Sequence, residues 1–151
     1  MKTSVGYPDH ASTVQLLADS ATRTRSNSVG PIITAEMIVQ MAELAAGVHV
    51  DPALLSYVSQ IADATRRDAE VRLGLSPRGC LAYVRAAKAW AASNGRSYVL
   101  PDDIKTLAMP ILSHRVILEP EAEFAGASAA AVISRVFADI APPTLSAAAP
   151  Q

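Results

Sequence analysis

The sequence has 151 residues, of which half are hydrophobic and 5% aromatic, so its length suits one domain whose core is built mainly from alanine, leucine, isoleucine and valine. The formal net charge of −1 lacks the overall basicity of a general nucleic-acid-binding protein, and the single cysteine, Cys80, excludes an internal disulfide. Neither a charged-then-apolar leader nor an apolar run of about twenty residues occurs, so we expect a cytoplasmic protein that does not contact a membrane.

The N-terminal residues predict a joint and then a first helix. Residues 2–8 lack helical spacing, and Gly6-Tyr7-Pro8 indicates an extended segment, so we interpret residues 1–11 as a joint. A first amphipathic helix is predicted from about Ser12 to Arg25, and residues 27–31 end it. One face of this helix is predicted to carry Val14, Leu17, Ala18 and Ala21.

The second and third helices are predicted from their caps. Thr34 is a candidate N-cap for a helix that Gly47 would end in the left-handed conformation, with Met37, Ile38, Met41, Ala42 and Ala45 behind the cap at three-and-four spacing. Residues 48–50 alternate like a strand but are too few for more than an edge bridge. Asp51 and Pro52 then begin a third helix that ends in Arg66-Arg67. Its predicted inner face consists of Leu54, Leu55, Val58, Ile61, Ala62 and Thr65.

A fourth helix is predicted from Ser76 to Asn94, followed by a stop at Gly95 and an extended segment over residues 98–100. Pro101 and two acidic residues begin a fifth helix, which an internal proline, Pro110, must kink or tighten. The predicted inner face of this fifth helix consists of Ile104, Leu107, Ala108, Ile111 and Leu112, and His114-Arg115 closes it.

The last helix is predicted after a connection over residues 116–123. Ser128 is its candidate N-cap, Pro142-Pro143 stops it, and residues 144–151 are predicted to be a disordered tail. Its predicted inner face consists of Val132, Ile133, Val136, Phe137 and Ile140.

These patterns predict an all-α domain over residues 12–143, a compact bundle of five or six helices with at most short edge-strand bridges. The phosphate-binding loop of nucleotide hydrolases needs a strand, a glycine-rich turn and a lysine, and none of Lys2, Lys88 and Lys105 has that setting. No nucleophile, metal set or acid–base pair marks this chain as an enzyme by itself.

The strongest candidate for binding chemistry is Arg78. Ser76 is a favoured N-cap and Pro77 suits the first helical position, so Arg78 lies in an opening turn that already has a positive dipole end. A second cation there favours a shared anion, and phosphate is the obvious candidate. Arg85 lies about 20° away around the same helix and can join it. The alternative is a solvent-exposed arginine whose stem covers the helix surface.

Charge along the chain is uneven, since residues 64–96 contain seven cations and two acids. This stretch favours an anionic partner near Arg78. We interpret Arg66, Arg67 and Arg72 as solvated cations near helix ends rather than as ligand contacts.

Other reactive side chains have simpler interpretations. His10, His49 and His114 are far apart and do not indicate a metal site. His114 is interpreted as a helix-dipole partner, and Asp102-Asp103 as first-turn acids rather than magnesium ligands. Tyr83 and Trp90 are typical of a core, although Trp90 could also face a partner.

Several motifs together resemble the C-terminal lid region of MoxR-type AAA+ ATPases. They occur in the family's order and spacing from about Val5 to Pro143. The motifs are Val5-Gly6-Tyr7-Pro8, Ile33-Thr34, Val48-x-Val50, Gly74-x-Ser76-Pro77-Arg78, Ala86-Ala87-Lys88-Ala89, Gly95-Arg96-x-Tyr98-Val99-x-Pro101-Asp102-Asp103 and Leu112-x-His114-Arg115. Leu75 and Gly79 depart from the family, which often has alanine at both positions, and the glycine is expected to loosen the placement of Arg78.

The resemblance implies that Arg78 is the sensor 2 arginine, a catalytic residue that reaches the γ-phosphate of ATP. From their positions in the sequence, Ser76, Pro77 and Arg85 are expected to belong to the same binding site. It implies an absent ATPase core that binds ATP and Mg²⁺, with residues 1–11 the remnant of the joint to it. The implied partners are that core, neighbouring subunits of a ring, and von Willebrand A-domain proteins, in chaperone-like maturation of protein complexes.

A second hypothesis comes from the residues alone. It is a freestanding helical interaction module whose basic face binds a protein or nucleic acid. Steeply salt-dependent binding to duplex DNA would distinguish this module from a lid.

Overall fold

The computed structural model describes residues 1–18 and 30–144. In these ranges the chain forms seven helices and two short strands. They are α1 (His10–Ala18), α2 (Ala35–Gly47), α3 (Pro52–Arg67), β1 (Val71–Leu73), α4 (Pro77–Ser93), α5 (Pro101–Leu112), β2 (Ile117–Leu118), α6 (Pro120–Phe124) and α7 (Ala129–Asp139). The predicted all-α class is confirmed, with two elements that the sequence patterns did not predict: the antiparallel β1–β2 pair and α6.

Side-chain caps fix most of the predicted helix starts. Thr34 accepts a hydrogen bond from the Met37 amide at 3.3 Å, Asp51 accepts one from Ala53 at 2.7 Å, and Ser128 accepts one from Ala131 at 3.1 Å. These residues satisfy amides that have no partner inside the helix, which is why the sequence located the starts well. The start of α1 differs, because Asp9 accepts from the Ser12 amide and the helix begins at His10 rather than Ser12.

Two predicted chain stops have different outcomes. Gly95 has a φ of 70°, which agrees with the stop predicted after α4. Gly47 does not have positive φ and is the last residue of α2, so the predicted left-handed stop there is wrong. The predicted end of the first helix near Arg25, the stop at residues 27–31 and the disordered tail lie wholly or mostly outside the described residues.

The hydrophobic core lies among α3, α4, α5 and α7. Helix α4 packs against α3 and α5, and α7 packs against both α3 and α5. The predicted faces of α3, α5 and α7 are buried apart from Leu55, which is exposed, and Phe137 and Ile140, which are half-buried. The sequence missed Tyr57, a core residue whose ring meets that of Phe137 edge-on at 6.2 Å.

Helices α1 and α2 contribute no buried side chain. Helix α2 packs against α4, but four of the five apolar residues at helical spacing are exposed and Ala45 is only half-buried. The apolar stripe of α2 is therefore not part of the core in the described residues. No helix in the described ranges has the length and hydropathy needed to cross a membrane.

Two short connections complete the fold. The predicted edge bridge is present, since His49 pairs with Tyr98. Strand β1 pairs with β2 through Val71 and Leu118, both of which are buried in the core. This pairing anchors the segment between α3 and α4, so it helps to place the start of α4.

Candidate functional site

The start of α4 is built by Ser76 and Pro77. The Ser76 hydroxyl accepts a hydrogen bond from the Gly79 amide at 3.2 Å, and the Ser76 carbonyl accepts one from the Cys80 amide at 3.0 Å. Proline has no amide hydrogen. The first turn thus has few free backbone donors, and any anion at this end of α4 must be bound mainly by a side chain.

Arg78 and Arg85 lie on the exposed surface of α4. Their spacing of seven residues places them about 20° apart around the helix and about 10 Å apart along it. Neither makes a hydrogen bond or ion pair with another residue in the described ranges. The arrangement leaves both guanidinium groups available to an anion from outside this part of the chain.

The residue before the N-cap, Leu75, is held by the C-terminal end of α3. Its amide donates to Thr65 Oγ1 at 3.0 Å, and its carbonyl oxygen accepts from Arg66 Nε at 2.8 Å. Arg66 also pairs with Asp63 at 2.9 Å. The interpretation of Arg66 as a merely solvated cation is therefore wrong, because its guanidinium joins α3 to the segment before α4.

Gly74 and Gly79 allow close packing on either side of Leu75. A Cβ at Gly74 would lie 2.7 Å from the backbone nitrogen of Arg66, so only glycine lets this segment approach the α3 backbone so closely. A Cβ at Gly79 would overlap Cδ1 of Leu75, a side chain with no exposed surface. The missing side chain of Gly79 therefore provides the space that Leu75 fills, a packing role that helix propensity alone does not indicate.

The basic stretch over residues 64–96 is less open than its charge suggests. Lys88 donates to the Ala46 carbonyl at 2.7 Å, and Arg96 binds the Asp103 carboxylate through two hydrogen bonds of 2.7 and 2.6 Å. With Arg66 engaged as well, the arginines of this stretch without a partner in the described residues are Arg67, Arg72, Arg78 and Arg85. Structural contacts thus account for three of its seven cations, which reduces the basic surface available to a nucleic acid.

Asp103 has a structural environment that sequence reasoning described only in part. It is buried, and besides Arg96 it accepts a hydrogen bond from the Leu100 amide at 2.7 Å, which fixes the start of α5. Arg96 was not predicted as its partner, although both residues belong to one motif of the family resemblance. Their contact gives that motif a structural role.

The other candidate residues have environments that do not involve Arg78. His114 lies in the turn after α5, where loss of hydration and the nearby cation Arg115 lower its pKa. Tyr83 is buried and donates to the Ile104 carbonyl, whereas Trp90 is partly exposed. Among residues 1–18 and 30–144, no three histidine, cysteine or acidic side chains form a candidate metal site.

Comparison with known proteins gives a consistent result. Residues 63–136 match the AAA lid domain family. The chain is 33% identical to the uncharacterised protein YeaC of Bacillus subtilis over 94% of this chain and 44% of that protein. It is 29% identical to the chaperone MoxR1 of Mycobacterium tuberculosis over 97% of this chain and 41% of that protein.

A third relative, the protein MoxR of Paracoccus denitrificans, is 37% identical over 54% of this chain and 28% of its own length. The fold is similar to that of a candidate ATPase from Cytophaga hutchinsonii, with a TM-score of 0.79 and 27% identity, over 95% of this chain and 46% of that one. This chain thus spans less than half the length of each of these relatives.

Proposed function

This chain contains the C-terminal lid domain of a MoxR-family AAA+ ATPase, and on that premise we propose that Arg78 is the sensor 2 arginine, which contacts the γ-phosphate of ATP. The observation that supports this role is the exposed Arg78 side chain in the first turn of α4, with no acidic partner in the described residues. A cation beside the positive end of a helix is unfavourable unless an anion is shared. A terminal phosphate is an anion of suitable charge and size.

The side chains of α4 fit the polyphosphate of ATP as half of a site. The planar guanidinium of Arg78 can donate two parallel hydrogen bonds to phosphate oxygens. Arg85 adds positive charge about two helical turns further along α4. Ser76 and Pro77 contribute by fixing the first turn, since the Ser76 hydroxyl is already bonded to Gly79. ATP, when bound, supplies the phosphoryl group whose transfer to water is the reaction.

The other half of the site lies on an ATPase core outside these 151 residues. The sequence contains no strand, glycine-rich turn and lysine in the arrangement of a phosphate-binding loop. We propose that this core belongs to the same polypeptide, that residues 1–11 form the joint to it, and that it holds ATP and Mg²⁺. The isolated lid is expected to hydrolyse no ATP.

The whole protein is proposed to form a ring and to act in the maturation of protein complexes. The Paracoccus denitrificans relative is named MoxR, and the mycobacterial relative is named chaperone MoxR1. Neighbouring subunits of a homo-oligomer and von Willebrand A-domain proteins are the proposed partners, and the cytoplasm is the proposed location.

The test is Arg78→Ala in the polypeptide that carries both the core and this lid. Turnover of ATP should fall by at least about tenfold, because removal of an arginine that stabilises phosphoryl transfer costs up to several orders of magnitude. The stability of the lid should change little, since the side chain is exposed. Arg67→Ala is the control, because it removes an exposed arginine from the same basic stretch. Normal turnover in Arg78→Ala would remove this residue from the mechanism.

A further inference from the structure

The placement of Arg78 depends on contacts that lie outside α4, and the inference here rests on the proposed function of that residue. We infer that Thr65 and Arg66, at the C-terminal end of α3, are positioning residues for Arg78 and act on it through Leu75. Neither side chain is proposed to touch ATP.

Both backbone polar groups of Leu75 form hydrogen bonds with side chains at the C-terminal end of α3. The Leu75 amide donates to Thr65 Oγ1 at 3.0 Å and its carbonyl accepts from Arg66 Nε at 2.8 Å. Thr65 is fully buried and in turn donates to the Ala62 carbonyl at 2.7 Å, so its hydroxyl is fixed in one orientation. Two bonds to a single residue fix its orientation as well as its position.

The position of Leu75 then determines that of the first turn of α4. Only Ser76 and Pro77 separate it from Arg78, and Ser76 is the N-cap, bonded to the Gly79 amide. The buried Leu75 side chain also packs directly against Gly79, one residue beyond Arg78. Leu75 is thus joined to this turn through the backbone and through its side chain, so a displacement of Leu75 displaces the turn that carries Arg78.

Close packing makes this connection stiff. The Gly74 backbone lies so near α3 that a Cβ there would be 2.7 to 2.8 Å from backbone atoms of Thr65 and Arg66. An arginine that stabilises a transferring phosphoryl group must be placed to within a fraction of an ångström, and a displacement of about 1 Å can cost about 100-fold in rate. The hydrogen bonds from Thr65 and Arg66 to Leu75 hold the first turn of α4 in place relative to α3, and so position the backbone of Arg78.

The experiment compares Thr65→Val with Thr65→Ser in the polypeptide that carries core and lid. Valine keeps the shape of threonine but removes the acceptor for the Leu75 amide, whereas serine keeps the acceptor and removes a methyl group. Thr65→Val should lower kcat for ATP roughly tenfold with KM changed much less, and Thr65→Ser should keep kcat near that of the parent.

A second pair tests the other bond without changing the buried core. Arg66→Met removes the donor to the Leu75 carbonyl, and Arg67→Met makes the same change at the adjacent exposed arginine. Arg66→Met should lower kcat roughly tenfold and Arg67→Met should not. This pair keeps the inference testable if Thr65→Val does not fold.

A purely structural role is separated from positioning by combining each change with Arg78→Ala. If Thr65 and Arg66 act through Arg78, their substitutions should lower kcat no further once Arg78 is absent. Equal kcat in Thr65→Val and Thr65→Ser together with normal kcat in Arg66→Met, or an undiminished loss in the Arg78→Ala background, would overturn the inference while leaving the proposed function intact. Normal turnover in Arg78→Ala alone would instead overturn the proposed function, and the positioning role with it.

Discussion

Leu75 and Gly79 pack against each other, so the side chain at either position limits the size of the side chain that the other can have. Leucine at position 75 is fully buried, and its Cδ1 occupies the space that a Cβ at position 79 would need. The expectation from helix propensity was that Gly79 weakens the start of α4, because glycine is about 1 kcal/mol less favourable than alanine inside a helix. In the folded chain this cost is offset by the packing of a larger side chain at position 75.

We predict that Gly79→Ala lowers the free energy of unfolding by about 1 kcal/mol. The overpacking cost of roughly 1 to 3 kcal/mol outweighs the gain in helix propensity. In a Leu75→Ala background the clash is absent, so the same substitution should become neutral or stabilising. Urea unfolding of the four proteins measures both effects, and a stabilising Gly79→Ala in the parent chain would contradict the packing argument.

At the scale of elements, Arg135 joins α7 to the segment between α3 and β1. Its guanidinium donates to Asp68 at 2.7 Å and to Glu70 at 2.8 Å. Partial burial alone would raise the pKa of Asp68, but hydrogen bonds from Arg135 and from the Glu70 amide outweigh it, and the pKa falls below its usual value. Asp68 therefore contributes stability that is present above its unfolded pKa and lost as pH falls through its lower folded pKa.

We predict that Arg135→Met lowers the free energy of unfolding near pH 7 by only a small amount, because the arginine side chain is 46% exposed and solvent screens its ion pairs. The loss should shrink in acid, as the pH falls through the lowered pKa of Asp68 and its carboxylate loses its charge. Urea unfolding at pH 7 and across the acid range measures this. Lys105→Met is the control, since its 3.9 Å pair with the exposed Asp102 should contribute nothing measurable. A pH-independent effect of Arg135→Met would show that lost packing, rather than charge, is responsible.

At the scale of the whole molecule, the hydrophobic core and the amphipathic helices do not coincide. Helices α3, α4, α5 and α7 enclose the core, whereas α1 and α2 have apolar residues but no buried side chain. Ile38 on α2 is 54% exposed, while Ile61 on α3 has no exposed surface. An isoleucine side chain therefore contributes more to the free energy of unfolding at position 61 than at position 38.

We predict that Ile61→Ala destabilises this chain by about 2 to 5 kcal/mol, because it leaves a cavity in the core. Ile38→Ala should cost less than about 1 kcal/mol, since it removes a side chain that already contacts water. Thermal and urea unfolding of the 151-residue chain measures both. Comparable losses at the two positions would mean that the face of α2 is buried in solution.

The residues of the candidate site were predicted from local sequence signals, whereas the contacts that hold the start of α4 come from residues in another helix. Ser76, Pro77 and Arg78 are adjacent, and helical spacing alone places Arg85 on the same face, so these positions could be named from sequence. The bonds from Thr65 and Arg66 to Leu75 span nine or ten residues between two helices. No periodicity or cap signal encodes such a contact, because it depends on how α3 and α4 pack.

Most helix starts, the stop at Gly95 and the all-α class could be predicted from the sequence, because caps, prolines and apolar spacing act within a turn or two of the chain. Which apolar faces are buried could not be predicted in this way, since burial depends on what packs opposite a helix. The same is true of the β1–β2 pair, whose strands are separated by more than forty residues and are too short for a strand pattern. The same holds around Arg78: its helix start and its charge are evident from the sequence, whereas the bonds from α3 to Leu75 depend on tertiary packing.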